Sequence, residues 1–135
     1  MKIFYGAKGS GKTKAIIDFA NETAKSAKGH VVFITDTNRY SFDLKQPIRF
    51  INTDDFDVKC EIGLRGFIKG VVAANGDNEY VFIDGIARIA GKPLFELDNI
   101  FAALEKLESD YGVNFVLTCS ANKEELPQFV LKYID

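Results

Sequence analysis

Apolar positions along this chain fall into two patterns. Near-continuous apolar runs rich in β-branched and aromatic residues, "KIFY" (2–5), "HVVFITD" (30–36), "YVFID" (80–84) and "NFVLTCS" (114–120), predict strands. "IRFIN" (48–52), behind Pro47, is a weaker fifth. Between the runs, apolar residues recur at spacings of three and four and predict helices. One covers 12–27 through Ile16, Ala20, Thr23, Ala24 and Ala27, with Gly29 as its stop. A second covers 60–75 through Leu64, Phe67, Ile68, Val71 and Val72, and ends at the turn signal "NGDN". The third, at 94–111, follows Pro93 and carries Leu97, Ile100, Phe101, Leu104, Leu107 and Tyr111 ahead of Gly112. Leu126, Phe129, Val130, Tyr133 and Ile134 predict a last short helix, with Pro127 in its first turn.

Strands apolar along their whole length bury both faces, and amphipathic helices between them supply the cover. The expected class is therefore α/β: a three-layer sandwich with a mainly parallel five-stranded sheet. A chain of 135 residues supports one core, so residues 1–135 are read as a single domain. No repeat, linker or low-complexity segment interrupts it.

Composition narrows the functions. The net charge is −2 and no basic block stands out, so a nucleic-acid surface is not indicated. No apolar run approaches the length of a membrane span and the N-terminus lacks a signal-peptide profile, which points to a cytoplasmic protein with no membrane contact. With one histidine and no C-x-x-C spacing, a His/Cys metal site is not expected. Cys60 and Cys119 sit in apolar runs and read as buried, reduced thiols.

The informative stretch is "GAKGSGKT", which joins the first strand to the first helix. Gly6, Ala7, Lys8, Gly9, Ser10, Gly11, Lys12 and Thr13 fit G-x-x-x-x-G-K-[ST]. Glycines at these positions let successive backbone amides turn inward toward phosphate oxygens, and the helix N-terminus adds partial positive charge. In such a loop Lys12 reaches the outer phosphates, and the Thr13 hydroxyl ligates Mg²⁺. The second motif is "EYVFIDG". Asp84 ends an apolar strand, where a carboxylate can hold the water shell of the cation opposite Thr13; taken alone it could equally cap the next turn.

With these two motifs the chain resembles the P-loop NTPases and, within them, the RecA-like ATPase core. The resemblance covers most of the chain as an order of elements, while only "GAKGSGKT" and "YVFID" are specific. It implies ATP and Mg²⁺ as cofactors, Lys12, Asp36 and Asp84 as the catalytic group, and a sheet order of 3-2-4-5-1 by chain position. The sequence departs from the pattern at Gly85, where many ATPases of this group carry a water-activating glutamate. Some RecA-like members place that carboxylate at the end of the second strand, where Asp36 stands; the alternative is a turn-initiating Asp in "TDTN". Thr118 and Ser120 occupy the position of γ-phosphate sensors. Arg39, Arg65 and Arg88 are the candidates for an arginine finger, and none is singled out by its spacing.

"SANKEE" (120–125) resembles the guanine-reading N-K-x-D, but Glu125 replaces the Asp, and "DGIA" puts Ala87 where D-x-x-G needs glycine. GTP is therefore the less favoured nucleotide. Two readings stay open: a small Mg²⁺-dependent ATPase, and a nucleotide-binding regulatory module with little or no hydrolysis. In the implied order the first strand lies at the sheet edge, which leaves room for a homo-oligomer or a larger protein partner to cover it.

Overall fold

The computed structural model describes residues 1–134. Five strands, β1 (Lys2–Gly6), β2 (His30–Thr35), β3 (Arg49–Asn52), β4 (Asn78–Ile83) and β5 (Asn114–Ser120), form one sheet in the order β1-β5-β4-β2-β3. Every pairing within it is parallel. Five helices connect the strands: α1 (Lys12–Ser26), α2 (Glu61–Ala74), α3 (Ile86–Ala90), α4 (Asp98–Tyr111) and α5 (Gln128–Leu131).

The strand residues alternate between two cores. Val31, Phe33, Phe82 and Val116 face α1 and pack on Ile16, Ile17 and Ala20. Val32, Ile34, Val81, Ile83, Phe115 and Leu117 face the opposite layer and pack on residues of α2, α3, α4 and α5. This is the two-sided burial that continuous apolar strands require. In-register pairing of Phe33 with both Phe50 and Phe82 builds a stacked row of rings across β3, β2 and β4, at centroid separations of 6.4 and 6.2 Å. Phe19 of α1 meets Phe82 edge-on at 5.9 Å.

Three expectations are corrected. The helix expected at 94–111 divides into a 3-10 turn at Leu94–Glu96 and α4 proper. Pro93 is extended (φ −60°, ψ 148°), and the chain makes one tight turn before α4 begins. The last helix shrinks to four residues: Leu126 and Pro127 are extended before it, and Tyr133 and Ile134 close three-residue turns after it. Cys60 is exposed rather than buried. It is the N-cap of α2, and its Sγ accepts from the Gly63 amide at 3.4 Å. Among the described residues, no helix is long and apolar enough to cross a membrane.

Because all strands run the same way, their C-terminal ends share one edge of the sheet. Gly6, Thr35, Ile83 and Ser120 end their strands there, and the segments that follow them build the site.

Candidate functional site

At that edge lies a cleft of about 1290 Å³, floored by the strand ends and walled by the start of α1 and the segment after β2. Lys8, Gly9, Gly11, Lys12 and Thr13 line it, together with Asp36, Asp84 and the late-strand pair Thr118 and Ser120. Gly6, Ala7 and Ser10 do not line it. They shape the loop instead: the Ser10 amide donates to the Ala7 carbonyl at 3.1 Å. A Cβ on Gly6 would come within 2.7 Å of Ser10 Oγ. Gly6, Gly9 and Gly11 all have positive φ, at 151°, 82° and 92°, so the loop follows a path that L side chains disfavour. Among the described residues, no backbone carbonyl accepts from the amides of Gly9, Gly11, Lys12, Thr13 or Lys14. Lys12 folds back over the loop and donates to the Ala7 carbonyl at 2.9 Å.

Asp84, just beyond β4, is where distant parts of the chain converge. The Thr13 hydroxyl donates to its carboxylate at 3.1 Å, across 71 residues of sequence. The Thr118 hydroxyl donates to Oδ1 at 2.7 Å and accepts from the Gly85 amide at 2.8 Å. Thr35 Oγ1 donates to the Asp84 carbonyl at 3.2 Å, and the Asp84 amide donates to Ile34 at 2.9 Å. The carboxylate is thus held from β5 and the first turn of α1, and the Asp84 backbone from β2.

The donor set suits a hard divalent cation. A hydroxyl and a carboxylate in contact are both oxygen ligands. Among the described residues, no three His, Cys, Asp or Glu side chains converge. A cation between Thr13 and Asp84 would therefore complete its shell with water and ligand oxygens, which is the habit of Mg²⁺.

Asp36 lies on the same floor but is engaged elsewhere. Arg88 of α3 donates Nε to Asp36 Oδ2 and a terminal nitrogen to Oδ1, each at 2.8 Å. This hydrogen-bonded guanidinium holds the Asp36 carboxyl below its usual range against the opposing effect of partial burial, and Asp36 in turn raises Arg88. Of the three arginines weighed from the sequence, Arg65 sits on α2 against Glu61 at 3.9 Å, and Arg39 lies over the Tyr40 ring at 5.5 Å.

The far wall of the cleft was not legible in the sequence. Asn21 of α1 donates to the Asp43 carbonyl at 2.8 Å and accepts from the Lys45 amide at 2.9 Å. These two bonds bracket the segment after β2 against the helix and set the width of the opening. A mid-helix asparagine bonding to a loop twenty-odd residues away leaves no local sequence signal.

No protein-family model matches the chain, and no curated protein matches it.

Proposed function

We propose that the chain is a P-loop protein of RecA-like type that binds ATP with Mg²⁺ at residues 6–13 and hydrolyses it as a small ATPase. The convergence of Thr13 and Thr118 on the Asp84 carboxylate, beside a glycine-turned loop with unpaired amides, is the observation that carries this reading. The sheet order supports it as well, since β5 separates the loop strand from the strand that ends at Asp84.

On this reading the free amides and Lys12 hold the phosphate oxygens, with Lys12 leaving the Ala7 carbonyl to do so. Thr13 and Asp84 would hold the cation, which when bound offsets charge on the phosphates. Thr118 keeps one Asp84 oxygen fixed, so that the other faces Thr13. Asp36 is the nearest carboxylate that can orient water, because position 85 is glycine.

A second reading, a nucleotide-dependent regulatory module with little hydrolysis, has its own support. Asp36 is clamped by Arg88 through both oxygens and its basicity is reduced, which makes it a poor proton acceptor as it stands.

Thermal unfolding with and without millimolar MgATP tests nucleotide binding. A ligand that binds only the folded state adds about 2.7 kcal/mol at a hundredfold excess over Kd. Lys12→Ala is expected to remove most of that shift. Asp84→Asn is expected to remove its Mg²⁺-dependent part. A wild-type protein whose melting point ignores MgATP does not bind it, and the proposal then fails. Phosphate release at several protein concentrations separates the ATPase from the regulatory module.

A further inference from the structure

Arg88 is held by oxygen atoms alone. Beyond its two bonds to Asp36, one terminal nitrogen lies 3.5 Å from the Asp84 carbonyl, which spans the ends of β2 and β4. The guanidinium rests directly on Gly85. A Cβ there would lie 2.3 Å from a terminal nitrogen and 2.5 Å from Cζ. Gly85 is at φ 88°, where L side chains are disfavoured, and the Arg88 guanidinium occupies the space above it. In RecA-like terms, the space where a glutamate would stand has been given to an arginine from the next helix.

The side chain is 55% exposed and lines the same cleft as Lys12, Thr13 and Asp84. The guanidinium is open to water although Asp36 is largely covered, so it can exchange one oxygen partner for another without leaving the cleft. A phosphate matches the guanidinium fork as well as a carboxylate does, and it brings more charge. Lys12 offers a parallel, since it too rests on a protein oxygen at the cleft.

We propose that Arg88 is the residue that reads the terminal phosphate of a bound triphosphate, with Asp36 as its resting place when that phosphate is missing. The inference rests on the nucleotide reading above and deepens it. The same movement uncovers the Asp36 carboxylate, so arrival of the third phosphate and release of the candidate water-orienting group are a single event. Arg65 lies on α2 and does not line the cleft; Arg39 does line it, over the Tyr40 ring, but makes no bond to Asp36 or Asp84 among the described residues.

The test compares the affinities of the full chain for ADP and for the non-hydrolysable analogue AMPPNP, both with Mg²⁺, by calorimetry. Wild type is expected to favour AMPPNP. Arg88→Ala is expected to lower that preference roughly tenfold, as for loss of a hydrogen bond between charged groups, with the loss falling on AMPPNP. Asp36→Asn weakens the resting place and is expected to raise the preference; it serves also where Arg88→Ala does not fold. If both nucleotides bind and neither variant changes the ratio in its stated direction, Arg88 does not read the terminal phosphate and the site reading stands. If neither nucleotide binds wild type, the site reading itself falls, and this inference with it.

Discussion

Thr118 has a single hydroxyl and two obligations: one Asp84 oxygen and the Gly85 amide. Thr118→Val keeps the shape and removes both, leaving the part-buried Gly85 amide without a partner and Asp84 Oδ1 with only the longer 3.4 Å contact to Thr13. The expected loss is about 1–3 kcal/mol in stability, read by denaturant unfolding, together with weaker Mg²⁺-dependent nucleotide binding. Asp36 gives a pH signature. Its folded-state pKa lies below the ordinary 3.8, so its pairing stabilises the fold fully above that value and is lost as pH falls through the lowered one. The difference in melting temperature between wild type and Asp36→Asn is therefore expected to stay level from neutral pH down to about pH 5 and to shrink below about pH 4. Equal shrinkage between pH 7 and 5 would show that another group is responsible. At this scale, legibility follows sequence distance. The residues of 6–13 lie next to one another and could be read as a motif. Arg88 could be named from the sequence but not chosen, because the carboxylate that holds it is 52 residues away.

Among the elements, α1 and the aromatic row beneath it carry the layer that supports the site. Phe82 touches Phe33, Tyr80 and Phe19 and is fully buried. Phe82→Ala is expected to cost about 3–5 kcal/mol, seen as a lower urea midpoint with little change of slope. The strands and long helices were legible because each buries a repeated stripe or a whole run. Elements too short to repeat the pattern were not. Helix α3 has five residues, and "IARIA" directly after a strand shows too little spacing to separate it from a turn. Gly85 and Gly91, at φ 88° and 67°, bound it on either side, and they are the only local sign of it. The 3-10 turn after Pro93 delayed one helix to Asp98, and the extended Pro127 cut the start of another whose apolar spacing ran across it.

Across the whole molecule, β1 is the end strand of the sheet and α5 packs against α4. A homo-oligomer partner, left open by the sequence, would add at the outer edge of β1. Light scattering with MgATP at tens of micromolar protein is then expected to give a mass above that of one chain. A single-chain mass with and without nucleotide removes self-association. The parallel sheet has another result. The end opposite the cleft carries tight turns, fastened where Glu79 accepts from the Lys28 and Gly29 amides at 2.9 and 2.8 Å. Gly76 is exposed in one of them, and a Cβ there would meet no atom within 4 Å. A six-residue strand spans about 20 Å, so that turn is a handle remote from the opening. The thiols favour its use. Burial pushes Cys119 up to about 12, out of reach of maleimides. Cys60→Ser keeps an N-cap on α2 while removing the exposed thiol. Gly76→Cys in that background is expected to take one fluorophore or surface tether and to leave the cleft facing solution, so that nucleotide exchange can be watched on single immobilised molecules.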